Sequence, residues 1–261
     1  MSIIDSHVHA GDKYGPVENV IAQMDASGVT HAVVVQHMGQ FNNGYLRQCL
    51  DKYPQRLWGI CMVDLTLANA PRTLKSEMKE NGFHGVRLPS VSLSRRPDVW
   101  EMAVECKGVI SVTGLQPHDF GQVDRLRSFL DNNPTARLKI EHLGYPDPSE
   151  PPPYATYERV MGLSEYKGVY MQLSSPYTHS KTAYPFDDML PFVEMAKRHF
   201  APYRLIWGSC FPPVEKYMNY AQSLAWLDGL GLKESQKSGA IWDNAVRLMD
   251  PRKKKVGGEA A

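Results

Sequence analysis

Eight short apolar runs rich in β-branched residues alternate with longer amphipathic segments, and no glycine-rich phosphate loop follows any of the runs. These observations predict an α/β chain folded as a single-domain (β/α)8 TIM barrel. Strands that are hydrophobic along their whole length are what a parallel sheet covered on both faces requires. Eight strand–helix units close such a sheet into a barrel. An open doubly wound sheet is the competing architecture, and the missing phosphate loop counts against it.

The expected strands are Ser2–His9, His31–Gln36, Leu57–Val63, Gly85–Leu88, Val109–Thr113, Arg137–His142, Val169–Leu173 and Leu205–Gly208. Between them the apolar spacing predicts helices over Val17–Ser27, Gly44–Tyr53, Ala70–Glu80, Pro97–Glu105, Val123–Asn132, Ala155–Leu163, Asp187–Phe200 and Val214–Gly229. Gly28 and Gly82 stand where a helix C-terminal cap is expected. The proline-rich stretch Tyr145–Tyr154 directly follows the sixth strand and is confined to extended or turn conformations. It is therefore expected to arch over the C-terminal end of that strand. A last helix, Glu234–Met249, is expected to pack on the outside. The barrel is expected over residues 1–250, with 251–261 a solvated basic tail.

The chain has 261 residues, with 29 lysines and arginines against 28 aspartates and glutamates. That balance gives no case for nucleic acid or an anionic membrane surface as partner. No apolar run approaches the roughly 20 residues that span a bilayer, and the first residues lack the pattern of a secretory signal. Cys49, Cys61, Cys106 and Cys210 stand far apart with no CxxC pair, which argues against a disulfide framework or a zinc ribbon. A cytoplasmic protein acting on a small molecule is the expectation, and an oligomer is compatible with it.

In a parallel barrel, polar residues at strand C-termini converge on one mouth. Here these are His7 and His9, Gln36 and His37, Asp64, Arg87, Gln116 and His118, Glu141 and His142, Ser174 and Ser175 with Tyr177 and His179, and Ser209 with Cys210. His7 and His9 are two apart on a strand, so both face the same side. They are either two imidazoles reaching into one cavity or a hydrogen-bonded core pair. His31, His84 and His199 fall elsewhere and read as structural or surface residues.

Five segments taken in order carry a resemblance: Ile3–His9 (IIDSHVH), Phe83–Leu88 (FHGVRL), Ile140–Pro146 (IEHLGYP), Ile206–Pro213 (IWGSCFPP) and Ile241–Met249 (IWDNAVRLM). Together they resemble the amidohydrolase-related family, in particular its lactonase-like branch. The resemblance implies an amidohydrolase-type barrel with His7, His9 and His142 as catalytic residues, His142 polarising the substrate carbonyl. It also implies that Arg87 meets a substrate carboxylate. Gln36, Gln116, His118, Ser174 and Tyr177 are the further candidates for holding an anionic substrate.

Two departures from the family pattern matter. Neither a strand-five histidine nor a strand-four lysine is evident to complete a binuclear metal site, His118 being the one candidate. The aspartate of the pattern Trp-Gly-Ser-Asp-Phe-Pro is replaced by Cys210. A thiolate is a good zinc ligand, so His7, His9 and Cys210 form a candidate set for one divalent metal, with a metal-free site as the alternative. Cys210 is equally a candidate nucleophile when paired with a histidine. The expected activity is hydrolysis of a lactone of a carboxylated small molecule. The alternatives are a non-oxidative decarboxylase or hydratase on the same scaffold, and a catalytically silent barrel that binds a metabolite.

Overall fold

In the computed structural model, which describes residues 2–200 and 202–249, every one of the eight apolar runs forms a strand. They are β1 (Ile4–Val8), β2 (His31–Val35), β3 (Leu57–Cys61), β4 (Gly85–Pro89), β5 (Val109–Thr113), β6 (Arg137–Ile140), β7 (Val169–Leu173) and β8 (Leu205–Trp207). Neighbours pair in parallel in chain order from β1 to β8. The seam closes just beyond the end of β8, where Phe211 bridges to Val8. There the Cys210 N–H donates to His7 O and the His9 N–H to Phe211 O, both at 2.8 Å. The residues of greatest chemical interest thus sit on the closing seam of the barrel.

The connecting helices are α1 (Val17–Ala26), α2 (Gly44–Lys52), α3 (Ala70–Lys79), α4 (Pro97–Glu105), α5 (Phe120–Asn132), α6 (Ala155–Met161), α7 (Leu190–Phe200) and α8 (Tyr220–Ala225). Strand side chains alternate between two environments. Outward residues such as Val34, Val86, Val112, Leu138 and Leu173 join the apolar layer beneath the helices, which includes Leu74, Trp100 and Phe192. Inward residues near the strand starts, among them Ile4, Val33, Ile60, Val109, Tyr170 and Ile206, form a second cluster inside the barrel. Nearer the strand ends the buried residues are polar: Ser6, His7, Arg87, Ser111, Lys139, Glu141, Gln172 and Ser174. The interior is therefore apolar at one end and polar at the end that opens on the mouth.

The expected last helix is split and relocated. It forms α9 (Glu234–Ser238), a π-helical turn (Gly239–Asp243) and α10 (Asn244–Met249). Ala245, Leu248 and Met249 pack into the inner cluster, so this segment plugs the barrel floor rather than lying outside. The open floor exposes apolar side chains that must be covered, and Asn244 anchors the plug by donating to Leu205 O at 2.8 Å. The expected helix over Val214–Gly229 is also interrupted. Asn219 and Gln222 form a reciprocal capping box that starts α8 afresh at Tyr220. α5 begins at Phe120, earlier than expected, and α7 at Leu190, after a 3-10 turn over Asp187–Met189. The expected tail, 251–261, lies outside the described residues. Among the described residues no helix is long and apolar enough to cross a membrane.

Candidate active site at the mouth of the barrel

The pairing of β1 with β2 is irregular between Asp5 and Val8. A bulge of this kind re-aims side chains, and here Ser6 and His7 both reach interior partners. Asp5 Oδ1 accepts the backbone N–H of His7 at 3.0 Å and of Ser209 at 2.9 Å, tying β1 to the segment after β8. Burial pushes the Asp5 carboxyl up to about 6. Gly208 completes the seam. A methyl group there would lie 2.8 Å from Gln172 Nε2, 3.0 Å from Ser6 Oγ and 3.1 Å from His7 Cβ, so no side chain fits.

His7 Nε2 and His9 Nε2 are 3.2 Å apart, and His9 Nδ1 is 2.7 Å from Val35 O. A carbonyl only accepts, so the proton of His9 resides on Nδ1. Burial holds His9 neutral, its pKa lowered to about 3, with Arg87 adding to the effect. His9 Nε2 is therefore a lone pair that accepts from His7 Nε2–H. His7 is likewise kept well below its ordinary pKa by burial. Its Nδ1 is left as a buried lone pair without a hydrogen-bond partner, 4.0 Å from Glu141 Oε1.

On β6 the charged Lys139 alternates with Leu138 and Ile140 and faces the interior, and Glu141 follows just past the strand's end. Arg87 on β4 donates Nε to Glu141 Oε1 at 3.0 Å and Nη2 to Oε2 at 2.7 Å, and Ser111 on β5 donates to Oε1 at 2.6 Å. Burial alone would raise the Glu141 pKa, but the Arg87 charge, helped by its neighbours, holds it well below the usual carboxylate range. Lys139 Nζ donates to Ser6 O at 2.9 Å, and burial lowers its pKa to about 8.

The mouth itself is built by two strained turns. His142, Leu143 and Tyr145 have φ of 51°, 55° and 61°, and Cys210 has φ of 58°, a region non-glycine residues rarely occupy. These turns bring Cys210 Sγ to 3.7 Å from His142 Nδ1, while His142 Nε2 lies 3.6 Å from Glu141 Oε2. Ser174 Oγ donates to Gln172 Oε1 at 3.0 Å and lies 3.1 Å from His142 Nδ1, where the direction of the bond follows the His142 tautomer. Burial pushes the Cys210 thiol up to about 12 and His142 down to about 3, so both rest neutral. Aromatic rings frame this centre. Tyr14 stacks on His9, Tyr145 meets His142 edge-on, and Tyr177 stacks on Tyr217 with centroids 4.4 Å apart.

Of the residues expected from the sequence, His7, His9, Arg87, His142, Ser174 and Cys210 come together, with Tyr177 at the edge through Ser175. The other three serve the loops. The Gln36 side chain donates to Asn42 O, Gln116 is exposed and bonded to Gln122, and His118 is exposed and faces Asp147 at 3.4 Å. Arg87, expected to meet a substrate carboxylate, spends Nε and Nη2 on Glu141, while Nη1 makes a 3.4 Å contact with Gln36 O. As a metal set the candidate residues do not fit. Cys210 Sγ lies against His142 rather than with His7 and His9. Among the described residues no three His, Cys, Asp or Glu side chains are arranged to hold an ion.

Lys139, Ser111 and Tyr145 are not among the residues expected from the sequence, which gives Glu141 only as a strand-end residue. The signal was available at β6, where Lys139 within the strand and Glu141 just past its end stand two apart in a buried segment. A separate cavity of about 380 Å³, lined by Ile3, Leu224, Lys237 and Ile241 among others, contains none of the mouth residues.

Comparison with known proteins agrees with this architecture. A curated L-fucono-1,5-lactonase of Burkholderia ambifaria is 25% identical over 228 residues, 82% of this chain and 75% of that protein. The crystal structure of a probable 2-pyrone-4,6-dicarboxylic acid hydrolase from Acinetobacter baumannii, with citric acid bound, superposes with a TM-score of 0.80 at 22% identity, covering 95% of this chain and 99% of the other. A putative 2-pyrone-4,6-dicarboxylic acid hydrolase from Pseudomonas putida gives 0.78 at 22% identity, over 95% and 97%. With the amidohydrolase family profile matching residues 4–250, from the start of β1 to the end of the floor plug, the chain belongs to the amidohydrolase family.

Proposed function

We propose that this barrel hydrolyses a cyclic ester of a small carboxylated molecule at the mouth formed by His142, Ser174 and Cys210. The observation that carries this reading is the convergence of His7, His9, His142 and Cys210 at the strand C-termini, in the part of the barrel where such sites form. The curated lactonase relative supports the ester class.

His142, whose side chain is 13% exposed at the mouth, is the imidazole that acts on the bound ester. Ser174 orients the ring through its contact with Nδ1, and Tyr177 borders the mouth through Ser175. The Nη1 end of Arg87, outside the pair with Glu141, faces the carboxylate. The His7–His9 pair is engaged internally and backs the site. A single preorganised donor at the developing oxyanion is worth about 3–4 kcal/mol in such settings.

The test is hydrolysis of L-fucono-1,5-lactone and 2-pyrone-4,6-dicarboxylate by the purified protein. Turnover that falls by about 10²–10⁴ in His142→Ala is expected of a general acid–base residue. No turnover of any lactone would sink the proposal. Cys210, standing where the lactonase-like pattern carries aspartate, favours a second reading, a barrel that binds such molecules without turnover. Tight binding without hydrolysis would select it.

A further inference from the structure

The sulfur of Cys210 and the carboxylate of Glu141 address opposite nitrogens of one imidazole. Cys210 Sγ is 3.7 Å from His142 Nδ1 and Glu141 Oε2 is 3.6 Å from His142 Nε2. The carboxylate is immobilised by Arg87 and Ser111, so it acts as a fixed negative charge behind the ring. A carboxylate at that distance favours the tautomer with its proton on Nε2, which leaves Nδ1 a lone pair for the thiol, while Ser174 Oγ, 3.1 Å from Nδ1, spends its proton on Gln172 Oε1. A further observation points the same way. His142 and Cys210 both hold positive φ, an arrangement that persists only where surrounding structure enforces it.

We propose that Cys210 is the nucleophile of a Cys210–His142–Glu141 relay and opens the ester through a thioester on its sulfur. The proposal rests on the ester-hydrolase reading above and goes beyond it in naming the covalent route. Cys210 Sγ bonds to the carbonyl carbon as its proton passes to His142 Nδ1. The ring C–O bond breaks and the leaving oxygen takes that proton, so the opened hydroxyacyl chain remains on sulfur. Water then attacks the thioester carbon and gives a proton to Nδ1. The C–S bond breaks, sulfur recovers the proton, and the acid departs. Water is the one co-reactant and nothing is oxidised or reduced.

A thiol that rests protonated cannot serve as the base that activates water. It can lose its proton to an adjacent imidazole as the C–S bond forms. Glu141 takes no proton. It is a positioning residue that sets the tautomer and offsets the charge on the ring.

The experiment mixes the full-length protein with p-nitrophenyl acetate and follows p-nitrophenol release beside intact-protein and peptide mass spectrometry. The expected result is a burst of one product per chain and one acetyl group on the peptide carrying Cys210. Cys210→Ala abolishes both, and His142→Ala slows acylation by about 100-fold or more. Glu141→Gln slows acylation by p-nitrophenyl acetate, which carries no carboxylate for Arg87 to meet, and Glu141→Asp recovers part of the rate. The wild-type burst needs no variant to fold, and Cys210→Ser provides a second, nearly isosteric replacement.

Label on Cys49, Cys61 or Cys106 instead, or equal rates for wild type and Cys210→Ala, would overturn the relay. Acylation of Cys210 in a protein that hydrolyses no lactone would keep the relay and remove the lactone reading. Lactone turnover that survives in Cys210→Ala would keep the lactone reading and remove the relay.

Discussion

Glu141 receives both Nε and Nη2 of Arg87 although 54 positions separate the two in the chain. The pair is buried in the barrel, and Ser111 occupies another lone pair of the carboxylate. Removing one partner leaves an uncompensated buried charge, which costs about 3–5 kcal/mol. Arg87→Met is expected to lower the unfolding free energy by that amount, and Arg87→Met combined with Glu141→Gln to recover part of it. Additive losses in the double variant, read by urea denaturation, would show that the two residues do not stabilise the fold as a pair.

Gly208 faces Gln172, Ser6 and His7 with no room for a methyl group. Gly208→Ala is expected to destabilise the protein by about 1–3 kcal/mol, the usual cost of overpacking. Because the collision falls on the seam that positions His7 and Cys210, catalytic rate is expected to drop with stability. A thermal midpoint equal to wild type would contradict the close approach.

Lys139 Nζ has a backbone carbonyl as its direct partner and, among the described residues, no carboxylate within ion-pair distance. A buried cation so weakly compensated is costly to keep. Lys139→Met, of similar volume, is expected to be neutral or stabilising. Lys139→Ala is expected to lose about 2–5 kcal/mol through the cavity it opens. Differential scanning calorimetry of both variants separates the charge from the volume.

Stability is expected to fall on mild acidification. His7, His9 and His142 have folded pKa values far below the ordinary 6.5, so below that pH the unfolded chain binds three protons that the folded chain refuses. Asp5 opposes them, since its pKa, raised to about 6, lets the folded state take one proton first. The net excess is about two protons in the unfolded state, so stability drops by roughly 3 kcal/mol per pH unit between about pH 6 and pH 4. Urea midpoints at pH 7, 6 and 5 measure it. A flat profile would mean that the imidazoles titrate normally.

The order and type of the elements were legible in the sequence because they rest on local periodicity. β5 and β7 run from Val109 to Thr113 and from Val169 to Leu173 as expected, since a strand buried on both faces announces itself by a short, mostly apolar run rich in β-branched or aromatic residues. Boundaries failed where a capping interaction intervened, as at Asn219, or where a turn with positive φ ended a strand early, as after Ile140. The last helix was placed outside because periodicity reports an apolar face but not what that face covers.

The sequence by itself determined that the chain is a parallel barrel and which polar residues lie near the strand ends, because strand spacing sets the face and the strand end sets the height. Only the tertiary structure decided which of them touch. Azimuth and depth inside a barrel depend on strand register, on the bulge after Asp5 and on how the seam closes at Val8 and Phe211. Those long-range terms commit Arg87 to Glu141 and turn Cys210 towards His142 rather than towards His7 and His9.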